Sequence, residues 1–226
     1  MDAVLSYIMN PKIFIKNIIA GLLYHSCLLD MLSTKRLSGR GFILMYHRVV
    51  RSREQDRNMI QPGMFVTQET FGKHLAFLKK EFSIITLDEM VLRIARGQSV
   101  SRCCAITFDD GWKDTYDVAF PILKKYQVPV SVFLASGYIG TEKWFWPEDL
   151  AWCLENLLKR DAWDAETDGL INSLMPVVNS SNKKNRSDLI DDAIVRVKKY
   201  RPEKRNALLS ALREALPGGS KERLMM

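Results

Sequence analysis

The stretch C-C-A-I-T-F-D-D-G, Cys103 to Gly111, sets an apolar run against two adjacent carboxylates and a glycine. A short unbroken apolar run reads as a buried strand, and Gly111 lets the chain turn where the run ends. Neighbouring side chains on a strand point to opposite faces, so Asp109 and Asp110 can serve one site only where the strand gives out. In α/β folds the C-terminal ends of strands open onto the face where sites are built, which makes the pair a candidate for metal binding and acid/base chemistry. In the competing reading, Asp109 and Asp110 cap a helix that begins near Asp114. Capping asks for one short polar residue, whereas a second adjacent carboxylate adds repulsion.

Working outward, Phe42 to His47 (F-I-L-M-Y-H) reads as a buried strand after Gly41, followed by a polar loop from Arg51 to Asn58. Thr67 opens an amphipathic helix with Phe71, Leu75 and Leu78 at helical spacing. Phe82 to Ile85 is a short strand, and T-L-D-E at Thr86 to Glu89 is a capping box whose helix ends at Gly97. A helix through Tyr126 and a strand from Val130 to Ala135 follow the two aspartates. Strands alternating with helices at this spacing indicate βαβ units and a parallel sheet or barrel. From Trp146 the pattern becomes helical, with amphipathic stretches at Pro147 to Arg160, Asp188 to Tyr200 and Glu203 to Leu216 and a polar linker at Asn179 to Arg186.

The composition is globular, 47% apolar and 26% charged over 226 residues. The net charge of +7 is uneven: +5 over residues 1–60, −4 over 61–181 and +6 over 182–226. Solvated helix faces account for such a basic rim, and no aromatic-interleaved basic motif points to nucleic acid. Cys27, Cys103, Cys104 and Cys153 lack metal-site spacing; the neighbours Cys103 and Cys104 diverge on a strand and read as core thiols. Residues 13–32 are apolar but carry Lys16, Asn17, His25 and Asp30, which argues against a bilayer span. Their helical period suits a helix lying on the domain or on a membrane surface, with no clear secretory signal. The expected location is cytoplasmic or peripheral at the inner membrane surface.

Three stretches taken together, L-M-Y-H-R-V at Leu44 to Val49, A-I-T-F-D-D-G at Ala105 to Gly111 and P-V-S-V-F-L-A at Pro129 to Ala135, resemble the polysaccharide deacetylase family. These carbohydrate esterases share the NodB homology domain, and the first stretch is similar to the poly-N-acetylglucosamine deacetylase and exopolysaccharide branch. The resemblance implies an α/β fold in which residues 41–145 form the N-terminal part of an irregular (β/α) barrel and residues 146–226 a helical insertion. Residues 1–40 form the amphipathic helix and basic linker. It also implies metal-dependent hydrolysis of N-acetyl groups on an amino-sugar polymer or lipid-linked saccharide, with zinc as the expected metal, Asp109 as general base and Asp110 as a metal ligand. The family's histidine pair, its R-x-P-like arginine and its late acid histidine have no counterpart motif; the histidines are His25, His47 and His74. The expectation is a domain that stops before its histidine pair, with impaired metal binding and activity. A non-catalytic saccharide-binding or assembly module and an inactive truncated product are the alternatives.

Substrate-binding candidates are His47, Tyr138, Trp144 and Trp146. His47, at a strand end, either faces the pocket of Asp109 or bonds to backbone. Trp144, Phe145 and Trp146 either stack on a sugar or plug the gap between barrel and insertion, and Tyr138 shares that ambiguity. His74 reads as surface, and Lys113 and Asp114 as first-turn helix residues.

Overall fold

The computed structural model describes residues 39–52, 63–160, 164–175 and 186–216. The expected helix at 13–32, Cys27, His25, most of the loop from Arg51 to Asn58 and nearly all of the linker from Asn179 to Arg186 lie outside them. The architecture is α/β. Strands β1 (Phe42–Tyr46), β4 (Ser83–Ile84), β5 (Cys103–Phe108) and β6 (Ser131–Val132) form one sheet in the order β1-β5-β4, with β6 also on β5. Strands β2 (Arg48–Val50) and β3 (Phe65–Thr67) form a second, parallel pair in the register Arg48 to Phe65. Among the described residues these sheets do not close into a barrel.

The described residues divide into two compact units, one drawn from the described part of 39–44 and 78–106 and the other from the described part of 45–77 and 107–216. In the first, β4 runs parallel to β5 with Ser83 beside Cys103 and Ile84 beside Cys104. Helix α2 (Leu87–Ala95) starts where the capping box expects it: the Thr86 hydroxyl accepts from the Glu89 N–H at 3.1 Å. Met90 on its inner face packs with Cys103 and Ala105. At Gly41 a Cβ would meet the Val100 carbonyl oxygen at 3.0 Å, so the chain entering β1 comes too close for a larger residue.

β1 corrects the expectation of a fully buried strand, since Ile43 and Met45 are 54% exposed and alternate with the inner positions. By contrast every residue of β5 is buried, as expected of a parallel strand covered on both faces. β6 is also shorter than the expected Val130 to Ala135, because pairing with β5 is confined to Ser131 and Val132.

In the second unit, Thr67 caps helix α1 (Gln68–Glu81), its hydroxyl accepting from the Thr70 N–H. The Tyr46 ring sits against Phe71 and Phe108, and its hydroxyl hydrogen-bonds His74 Nδ1 at 3.0 Å. A π-helical turn (Thr115–Ala119) leads into α3 (Phe120–Tyr126), which Gln127 closes in the left-handed conformation. Four helices then share a core: α4 (Trp146–Leu157), α5 (Ala165–Leu174), α6 (Arg186–Val197) and α7 (Pro202–Glu214). Leu150, Leu154, Ile171, Leu174, Ile190 and Leu212 are each at most 1% exposed within it. The sequence reading missed α5, a stretch weakened by Gly169 but started by Asp164, whose carboxylate accepts from the Thr167 N–H at 2.7 Å. The buried Asp149 of α4 accepts from Arg213 of α7 and pins the two helices together.

Candidate active site at the end of strand β5

Hydrogen bonding continues past the end of β5. The Asp109 N–H donates to the Tyr46 carbonyl at 2.9 Å, the Phe133 N–H to Phe108 at 2.8 Å and the Ala135 N–H to the Asp110 carbonyl at 3.3 Å. The two aspartates are thus held by backbone on both sides while their side chains stay half-buried. Asp110 and Gly111 both have left-handed backbones, at φ 74° and 76°. Aspartate is among the few residues that adopt this conformation readily. Glycine is required at the next position, where a Cβ would lie 2.7 Å from Leu134 Cδ2. This double turn ends the alternation of the strand.

The helix begins at Lys113 and Asp114 and passes into the π-helical turn, and the Asp114 side chain makes no capping bond. Asp114 instead accepts from Arg48 Nε at 2.6 Å and from the Val49 N–H at 3.2 Å, in a pair whose side chains are 5% and 9% exposed. Asp114 is the expected first-turn helix residue, and it also anchors Arg48. The Arg48 guanidinium lies 4.4 Å over the ring of Trp112, itself 1% exposed, and Trp112 Nε1 donates to Asp110 Oδ2 at 3.1 Å. Phe145 packs edge-on against Trp112 at 5.2 Å, with Tyr138 against Phe145 at 4.4 Å.

Glu148, in the first turn of α4, adds a third carboxyl. Burial pushes it up to about 6; its own backbone N–H and the charge of Arg48 pull it down, and Asp110 pushes it up. Its Oε2 is buried with no hydrogen-bond partner, as is Nη1 of Arg48.

Among the sequence candidates, Asp110 is bound to Trp112 and Tyr138 connects to it through the chain of rings, while Asp109 precedes Asp110 with its N–H on the Tyr46 carbonyl. Half-buried His47 lies between β1 and β2, next to Arg48. The two tryptophans turn toward the helices. Trp144 meets Trp152 of α4 at 6.3 Å, and Trp146 lies under the guanidinium of Arg205 at 4.8 Å. His74 is exposed. Arg48, Trp112 and Glu148 escaped the sequence reading. Arg48 stood in the quoted Y-H-R-V, but its meeting with Asp114 spans 66 positions and no local pattern encodes it.

Among the described residues no three His, Cys, Asp or Glu side chains converge on a point where they could hold a cation. A zinc centre takes at least three protein ligands. Asp110 supplies one carboxylate, already engaged by Trp112, so the described set does not fit a resident metal.

Residues 96–163 match the sequence model of the family described as polysaccharide deacetylase. The poly-beta-1,6-N-acetyl-D-glucosamine N-deacetylase of Staphylococcus aureus (strain MSSA476) is 31% identical over 104 residues, 45% of this chain and 36% of the relative. Its Staphylococcus epidermidis counterpart is 36% identical over 77 residues, 34% of this chain and 27% of the relative. The chain thus covers little more than a third of the length of the S. aureus relative. Among solved structures, IcaB from Ammonifex degensii aligns at 23% identity and a TM-score of 0.39, over 56% of this chain and 57% of that one. The Streptococcus pyogenes deacetylase PplD in complex with acetate aligns at 19% identity and a TM-score of 0.38, over 75% and 79%. The segment from residue 96 to 163, which holds both aspartates and Glu148, is thus similar to the polysaccharide deacetylase family.

Proposed function

We propose that this chain carries the acidic strand end of an amino-sugar N-deacetylase site, its substrate class the N-acetylated glucosamine polymers on which the staphylococcal relatives act. The strands described here would be the N-terminal part of a (β/α) barrel and the helices from Trp146 an insertion in it. The observation that carries the reading is the double left-handed turn at Asp110 and Gly111, which ends a fully buried strand in two half-buried carboxylates. Asp109 accepts the proton of the water that attacks the acetamide carbon and passes it to the leaving nitrogen as the C–N bond breaks, releasing acetate and a free amine. Asp110 would be one carboxylate ligand of a divalent ion, zinc by family resemblance, whose further ligands are not among the described residues.

The test is acetate release from a β-1,6-linked N-acetylglucosamine oligomer by the purified chain, with zinc or cobalt added, beside Asp109→Asn. Slow release that the substitution abolishes supports the reading. Equal release by both proteins, or none by either, contradicts it. A non-catalytic saccharide-binding role is the second reading, favoured by the incomplete ligand set; oligomer binding that survives chelation, without acetate release, selects it.

A further inference from the structure

The helix that leaves the two aspartates carries a pair of aromatic side chains that the fold does not bury. Tyr116 stands in the π-helical turn and Phe120 opens α3; they are 63% and 48% exposed, while Thr115, Val118 and Ala119 of the same turn are buried. Their rings are nearly parallel, 7° apart with centroids at 5.7 Å, and slipped so that neither screens the other from solvent. Residues four apart share a helix face, and the Phe120 N–H bonded to the Thr115 carbonyl closes the wide turn that holds both rings on it. Single π-turns are rare and recur at functional sites. The surround is polar: Lys113 and Asp117 meet at 3.9 Å with both side chains about half exposed, and Arg51 Nη2 donates to the Asp117 carbonyl at 3.5 Å.

We propose that Tyr116 and Phe120 form a stacking platform for a polysaccharide chain, separate from the carboxylates that carry the chemistry. The C–H face of a pyranose ring packs on an aromatic face, and its hydroxyls then turn to a polar rim, here Lys113, Asp117 and the Tyr116 hydroxyl. Size selects a sugar over a protein. A stable protein contact buries about 800 Å² on each side, whereas two rings of about 150–250 Å² each, half exposed, offer about a quarter of that. The exposed charges of Lys113, Asp117 and Lys124 keep the apolar area from extending along the helix. The platform belongs to the same compact unit as Asp109 and Asp110 and lies in the helix that follows them, which suits a polymer rather than a single sugar. The inference rests on the deacetylase reading for the identity of the polymer, and it makes Tyr116 and Phe120 binding residues that touch no reacting atom.

The experiment is calorimetric binding of a β-1,6-linked N-acetylglucosamine oligomer to the full chain, to the double variant Tyr116→Ala, Phe120→Ala and to Tyr116→Trp, with the thermal midpoint and solution mass of each. Loss of both ring faces should weaken binding about tenfold or more. The midpoint should hold, because neither ring belongs to the core. Tyr116→Trp keeps a flat ring and should retain affinity, with the added indole emission moving to the blue as the oligomer covers it. Unchanged affinity in the double variant, or no binding by the unsubstituted chain, would overturn the platform. So would affinity and midpoint falling together, which is the mark of a structural role, or a dimer that the double substitution makes monomeric, which is the mark of a protein interface. Acetate release separates this from the deacetylase reading. Binding lost in the double variant of a chain that releases no acetate leaves the platform standing and removes the activity; acetate released with binding unchanged in the double variant does the reverse.

Discussion

Breaking the Arg48–Asp114 pair from either side should cost nearly the whole of its worth, and breaking it from both sides should cost little more. The side chains are 5% and 9% exposed, the contact is 2.6 Å, and the second Asp114 oxygen accepts from the Val49 N–H. Removing one member of a buried pair strands the other charge in a poorly solvated place, typically at about 3–5 kcal/mol. Asp114→Ala leaves the guanidinium with the Trp112 face and no anion bound to it. Arg48→Met takes from the Asp114 carboxylate its guanidinium and leaves it the Val49 N–H donor. Each single substitution should therefore lower stability by about 3–5 kcal/mol, and the double substitution by about as much as one of them, a coupling of about 3 kcal/mol. At about 2–3 kcal/mol per molar urea, the single substitutions shift the midpoint by more than about 1 M. Urea titrations at pH 7 followed by tryptophan fluorescence and circular dichroism measure this, with Asp114→Asn as the isosteric variant should Asp114→Ala not fold. Additive single effects, with a coupling below about 0.5 kcal/mol, would refute the pair as an anchor of the site.

Gly111→Ala should destabilise by about 1–3 kcal/mol, measured in the same titrations, because its φ is 76° and the new methyl would lie 2.7 Å from Leu134 Cδ2; an unchanged midpoint would refute the turn geometry. Burial pushes Glu148 up to about 6 from its ordinary 4.5, so the folded state favours the proton. The linked stability is present below pH 4.5 and is lost as pH rises through about 6, at about 2 kcal/mol for the full shift. Glu148→Gln should accordingly flatten the stability profile between those values, and a superimposable profile would contradict the assignment. Burial pushes the Cys104 thiol up to about 11, so its alkylation at pH 8 should wait for unfolding while small-molecule thiols react at once; rapid labelling of the native chain at Cys104 would contradict its burial.

What could be read from the residues alone was what neighbouring residues decide. Thr86 with Glu89, the spacing of Phe71 and Leu75, and the apolar run into Asp109 each encode their element within a few positions, and each element forms. Strands β2 and β3 were illegible because three residues carry no period and their pairing joins Arg48 to Phe65 across a polar loop. Helix α5 was hidden by Gly169, its signal reduced to the Asp164 cap. At the site, the two aspartates announced themselves by adjacency at a strand end. Arg48, Asp114 and Glu148 did not, since a long-range ion pair and an unpartnered carboxyl become visible only once the chain is folded. The tryptophans were legible as a cluster but not in direction. Trp144 and Trp146 turn to Trp152 and Arg205, while Phe145 and Tyr138 continue toward Trp112.

Whether Asp109 acts on water is tested most directly by a single turnover in 18O-enriched water. The chain, in excess over an N-acetylglucosamine oligomer and supplied with cobalt, should release acetate that carries one heavy oxygen from its first turnover, and Asp109→Asn should release none. First-turnover acetate without label, its oxygen drawn from a carboxylate of the protein, or release undiminished by Asp109→Asn, would contradict the account.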